Sequence, residues 1–116
     1  MNNLNSILLE GIVSRDGITT TTPRNTKVCN FQIASDRYDR IGPDVVKSTS
    51  YFHIEIYGKL AGLGEALTKG IALRVVGYAK QDRWEDEYGK AHSRIKIVGE
   101  HVELRTKRNE EQEAAE

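Results

Sequence analysis

The stretch YFHIEIY at residues 51–57 decides the fold of this chain, because apolar and polar positions alternate along it without a break. A period of two is the pattern of a β-strand with one face on a core and the other face outside. One parity holds Phe52, Ile54 and Ile56, and the other holds Tyr51, His53, Glu55 and Tyr57. Two tyrosine rings therefore lie on the face that should be polar, and their position outside the core has to be explained.

Two further strands are predicted before this stretch. Leu4 to Val13 is apolar on both parities and is broken by Gly11, which is typical of a strand bent in a small barrel. The second strand is Lys27 to Tyr38. Between the two strands, Arg15 to Thr26 is interpreted as a long loop, and Asp39 to Ser48 is interpreted as a mobile polar connection.

A short helix and a long hairpin are predicted after it. Lys59 to Lys69 has leucines at helical spacing. The hairpin runs from Ala72 to Trp84, turns at Glu85 to Lys90, and returns as His92 to Val98 and Val102 to Leu104. This order predicts an all-β chain with one short helix, folded as a five-stranded Greek-key barrel of the oligonucleotide-binding (OB) fold.

Composition excludes several function classes. The 116 residues suit one domain, and no apolar run approaches the roughly 20 residues of a membrane span, so we expect a cytoplasmic protein without membrane partners. Seventeen basic and seventeen acidic residues cancel, so bulk charge gives no argument for a nucleic-acid partner. With a single cysteine, Cys29, and three histidines far apart in sequence, no metal site is predicted. No nucleophilic side chain is accompanied by a plausible general base. We therefore expect neither an enzyme nor a cofactor.

The fourth strand repeats the outward aromatic pattern of residues 51–57. Its even positions place Trp84 with the cations Arg74 and Lys80, opposite the apolar odd positions. Flat rings accept any base at about 1–3 kcal/mol per stack, while neighbouring cations hold phosphates without reading sequence. This pattern predicts sequence-tolerant binding of single strands. Aromatic residues also pack hairpins and oligomer interfaces, and the residues alone leave that alternative open.

Other aromatic and titratable residues are given structural roles. Phe31 and Phe52 are in phase with isoleucines, so both are assigned to the core, and Cys29 shares the parity of Phe31. His53 lies on the polar face without a catalytic partner in the sequence, so we give it no catalytic role.

Short segments along nearly the whole chain carry a family resemblance. They are residues 5–11, 30–34, 51–52, 54–61, 67–70, 75–77 and 83–86, with Gly89. Together they resemble the bacterial single-stranded DNA-binding protein family from position 4 to about 104. The resemblance implies that rings matching Tyr51, Tyr57 and Trp84 stack on DNA. It also implies that lysines matching Lys59 and Lys69 lie along the DNA path.

The family's aromatic residue on strand two falls one position beyond Tyr38 in an ungapped alignment, and Tyr38 is included as a stacking residue. The predicted DNA-binding residues are Tyr51, Tyr57, Trp84, Tyr38, Lys59, Lys69, Arg74, Lys80 and Arg83. Thr20 and Asp82 stand where the family often has basic residues, so we expect weaker phosphate binding.

The resemblance also implies a role in replication, recombination and repair, a nucleoid-associated location and a homotetramer, with a dimer left open. The alternatives are a dimeric OB-fold adaptor of the primosomal replication protein n type and a structural or interaction module. Residues 1–105 are predicted to be the DNA-binding domain, and 106–116 a short charged disordered tail. Family members usually end in an acidic tip with Pro-Phe, which these last residues lack, so contacts with replication and repair proteins are left open.

Overall fold

The computed structural model describes residues 1–105, which form a closed barrel of five strands. The strands are β1 (Ile7–Thr21), β2 (Lys27–Ile41), β3 (Asp44–Tyr57), β4 (Ala72–Glu85) and β5 (Ala91–Arg105), and a 3₁₀ helix spans Gly58–Ala66. Around the barrel the order is β1-β2-β3-β5-β4, and β4 closes on β1. Every neighbouring pair is antiparallel except β3 and β5. The predicted five-stranded barrel with one short helix is confirmed.

The barrel interior is filled by the inward parity of each strand. Ile54 and Ile56 of β3 are fully buried, as the alternation at residues 51–57 predicts. Phe31 and Cys29 of β2 lie in the same core, and Phe52 is half-buried against it. No helix in the described part of the chain has the length and apolar character that a membrane crossing requires.

The loop predicted at Arg15 to Thr26 is wrong, because β1 continues to Thr21 and keeps pairing with β2. Two register shifts, before and after Arg15, interrupt the alternation, so the sequence pattern fades where the strand bends. Threonines are β-branched and favour an extended backbone, which suits this end of β1. A tight turn then returns the chain, with Asn25 in the left-handed region at φ 65°.

The polar connection predicted at Asp39 to Ser48 is also wrong. β2 and β3 pair as far as Ile41 and Asp44, and a two-residue turn joins them. Gly42 takes a φ of 61° at the first turn position, which a side chain would resist. This end of the hairpin is exposed on both faces, so no apolar alternation marks it.

The predicted helix is shorter than expected and of another type. It is a 3₁₀ helix that ends at Ala66 rather than Lys69. Gly62 and Gly64 lie inside it, and glycine is a poor helix former. The predicted tail at 106–116 lies outside the described residues.

Candidate nucleic-acid interface

Three neighbouring strands form one continuous outer surface. On β4 and β5, Lys80 pairs with Lys96, Asp82 with Arg94, and Trp84 with His92, so these side chains share a face. Ion pairs from Lys96 to Glu55 and Asp82 join β3 to the same face. We call this surface the outer aromatic face. Its residues are Tyr51, His53, Glu55 and Tyr57 of β3, Lys80, Asp82 and Trp84 of β4, and His92, Arg94 and Lys96 of β5.

The three rings predicted to face outward lie outside the core. Tyr51 is 63%, Tyr57 37% and Trp84 47% exposed. Tyr51 and Tyr57 are six residues apart on β3, which is roughly 20 Å along an extended strand. A single base therefore cannot contact both tyrosines.

Trp84 is held by a neighbour that sequence reasoning missed. The rings of Trp84 and His92 stack with centroids 5.6 Å apart and planes inclined by 19°. His92 Nε2 lies 2.8 Å from Asp86 Oδ2, and this hydrogen bond, with backbone N–H groups of the turn, lowers the pKa of Asp86. One face of the indole is thus covered by His92. The hairpin register, which sets position 92 opposite 84, is the signal that could have found this pair.

Tyr38 lies on the β2–β3 hairpin, on the same face as Tyr51. It is exposed and directly opposite Lys47, a cation that sequence reasoning did not select. Lys47 Nζ lies 3.7 Å from Asp36 Oδ2, a long and exposed ion pair that is weak in water. The hairpin therefore extends the aromatic surface beyond the barrel.

The predicted cations occupy different places. Lys59, Lys69 and Lys80 are exposed, and Lys59 shares a shallow groove with Lys27 at the end of β3. Lys27 was not predicted, although it lies one residue before Val28, the β2 partner of Tyr57.

The two arginines are not among the residues of the outer aromatic face. Arg74 lies at the other end of β4 and is paired with Glu10, with its Nε 2.7 Å from Oε1. Arg83 has the opposite parity to Trp84 and donates to Oε1 of Gln81. The structure therefore does not bring Arg74 to the three rings, whereas Arg83 lines one shallow pocket with Trp84 and His92.

An ion cluster with two buried members, Glu55 and Lys96, lies in the middle of the outer aromatic face. Lys96 Nζ is 2.9 Å and 3.0 Å from the two carboxylate oxygens of Glu55, and 2.9 Å from Oδ2 of Asp82. Burial opposes the charged lysine, but the hydrogen bonds to both carboxylates outweigh it and raise the pKa of Lys96. The same contact lowers the pKa of Asp82.

His53 lies beside this cluster. Its Nε2 is 2.9 Å from Oδ1 of Asn30 on β2. Burial, followed by the positive charge of Arg94, lowers the pKa of His53 and favours the neutral ring. Among residues 1–105, no three histidine, cysteine or acidic side chains are grouped so that they could hold a metal ion.

Comparison with known proteins identifies one family. The model of the single-strand binding protein family matches residues 4–105. A single-stranded DNA-binding protein of Treponema pallidum is 30% identical over 90% of this chain and 59% of its own length. One from Aquifex aeolicus is 31% identical over 87% of this chain and 69% of its own length. The chain thus spans about three-fifths of the first relative and two-thirds of the second.

Solved structures share the barrel. A Plasmodium falciparum single-strand binding protein in complex with single-stranded DNA superposes with a TM-score of 0.82 at 20% identity, over 91% of this chain and 98% of its own. A deletion mutant of the single-stranded DNA binding protein from Thermus aquaticus also gives 0.82 at 20% identity, over 91% of this chain and 52% of its own. At this identity the likeness concerns the fold.

Proposed function

We propose, since this chain belongs to the single-strand binding protein family, that its barrel binds single-stranded DNA without reading its sequence. The observation that carries the proposal is the exposure of Tyr51, Tyr57 and Trp84 on the outer aromatic face. A soluble barrel gains nothing from leaving large rings in water, whereas an unpaired base buries both itself and the ring. Members of this family bind DNA without catalysis, so no enzymatic activity is proposed.

Stacking gives affinity without base preference. Every base has a π face, and each stack contributes about 1–3 kcal/mol. The uncovered side of Trp84 and the two tyrosines offer separate places, so successive bases of one strand can be held. Tyr38 extends the path along the β2–β3 hairpin.

Exposed cations complete the proposal. Lys59, Lys69 and Lys80 are exposed and can follow phosphates, with Lys27 and Lys47 as additions from the structure. Arg74 and Arg83 remain predicted DNA-binding residues. Arg74 must first break its ion pair with Glu10 before it can bind a phosphate. We therefore assign the main electrostatic contribution to the lysines.

Trp84 provides the test, because it is the only tryptophan of the chain. Titration with oligo-dT should quench its fluorescence strongly, the response to a duplex should be small, and added salt should weaken the affinity. An unchanged signal with oligo-dT would favour the alternative that these rings form an assembly interface.

The biological setting and assembly state are proposed with the binding activity. We assign the protein to replication, recombination and repair in the nucleoid, with residues 1–105 as the DNA-binding domain. A homotetramer is proposed, and the exposed apolar side chains of Leu8 and Ile12 on β1 support self-association, which a dimer would use as well. Mass measurement in solution separates a tetramer from the dimer expected of a primosomal replication protein n type adaptor.

A further inference from the structure

The rings of the outer aromatic face belong to two different hairpins. Tyr51 and Tyr57 lie on the β2–β3 hairpin, and Trp84 lies on the β4–β5 hairpin. Each hairpin is paired along its whole length. Within the described chain, the two hairpins pair directly only at Ile54 with Ile97 and at Glu55 with Val98. β1 also links the hairpins, because it pairs with β2 and with β4, but the short parallel junction is the link that lies between the strands of Tyr57 and Trp84.

A side-chain cluster bridges this junction. Glu55 comes from β3, Asp82 from β4 and Lys96 from β5, and we call these three residues the junction cluster. Glu55 is 8% and Lys96 7% exposed, although both are on the outer surface of the barrel. Glu55 is two residues from Tyr57, and Asp82 is two residues from Trp84. Each carboxylate thus lies on the same strand face as one stacking ring.

Neither phosphate binding nor stability explains the junction cluster. The three N–H donors of Lys96 all have carboxylate oxygens in reach, and the cluster carries a net charge of minus one, which repels phosphates. Buried ion pairs often add little net stability over apolar residues of the same size. What such ion pairs do provide is a fixed geometry, because their charged hydrogen bonds are satisfied in only one arrangement of the three strands.

We propose that the junction cluster positions the two hairpins so that Tyr57 and Trp84 can stack on bases of the same DNA strand at the same time. This inference rests on the proposed DNA binding. Once a base has stacked on the first ring, another base of the same DNA strand is held close to the second ring. Its effective concentration there depends on the spacing of the two rings. If the hairpins shift relative to each other, each ring still stacks but the joint gain falls.

The consequence is a loss of affinity that depends on oligonucleotide length. The registers set Tyr57 and Trp84 eight residues apart along β5, roughly 26 Å, which about 4 nucleotides do not span and about 16 nucleotides do. We therefore compare oligo-dT of these two lengths. Lys96→Met alone leaves Glu55 buried without its partner and is expected to destabilise the fold. The double variant Glu55→Leu/Lys96→Met removes the two buried charges and keeps the volume. Asp82 loses its partner but is partly exposed to water, so the variant is expected to remain folded.

The double variant should lose about tenfold more affinity for the long oligonucleotide than for the short one. The single variant Lys96→Arg keeps a cation between both carboxylates. Its affinity for the long oligonucleotide should be close to that of the parent protein. An equal loss at both lengths, or none at either, would overturn the positioning role. If the parent protein itself fails to bind oligo-dT, the proposed function is wrong as well, and the two failures are told apart.

Discussion

Replacing Trp84 with alanine tests the stacking surface most directly. His92 covers one face of the indole, so the other face has room for one base. The variant therefore loses one stack, about 1–3 kcal/mol, which corresponds to a roughly 5- to 150-fold weaker Kd. The lost contact with His92 costs about 1 kcal/mol of stability, or a Tm lower by about 4–8 °C, so the protein stays folded.

Anisotropy of a labelled oligo-dT measures this loss, since the variant has no tryptophan signal. Tyr88→Ala is the matched control, because Tyr88 is an aromatic residue in the turn of the same hairpin, 84% exposed and outside the outer aromatic face. Its affinity should equal that of the parent protein. Equal affinity of a folded Trp84→Ala variant, or an equal loss in both variants, would refute the stacking argument.

Tyr57→Ala should also weaken oligo-dT binding by about 1–3 kcal/mol with little change in Tm, and a large fall in Tm instead would make this ring structural. Ile54→Ala, at a fully buried core position, should lower the free energy of unfolding by about 2–5 kcal/mol in urea titration. Because the pKa of His53 is lowered in the folded state, the unfolded chain takes up this proton first as pH falls below about 6.5, and stability declines there. The variant His53→Gln keeps a hydrogen-bond donor for Asn30 and should reduce the difference in Tm between about pH 7 and about pH 5.5. If that difference is unchanged, other groups cause the loss of stability at low pH.

Alternation predicted this fold where one strand face is buried and the other is not. At residues 51–57 the inward isoleucines and outward tyrosines lie where the pattern placed them. The same rule fails at the ends of the hairpins, where both faces meet solvent. Ile95 and Ile97 have one parity, yet Ile95 is largely exposed and Ile97 is buried, because only Ile97 lies within the barrel.

The junction cluster shows why part of the site could not be predicted from sequence. Lys96 lies between two isoleucines on an outward parity, which predicts an exposed cation. Its burial comes from partners 41 and 14 positions away, at Glu55 and Asp82. The hairpin register of β4 and β5 brings Asp82 to Lys96, whereas the parallel pairing of β3 with β5 brings Glu55 there. Strand periodicity contains no information about the parallel pairing.

Equal numbers of basic and acidic residues do not argue against DNA binding once the structure shows which charges are already paired. Lys96 is neutralised within the junction cluster, and Arg74 is neutralised by Glu10. Within residues 1–105, Lys59, Lys69 and Lys80 form no ion pair. A phosphate gains the full attraction only from such a lysine, because a paired one must first give up its carboxylate. The exposed lysines without an ion pair, rather than the sum of charges, therefore set the electrostatic part of the affinity.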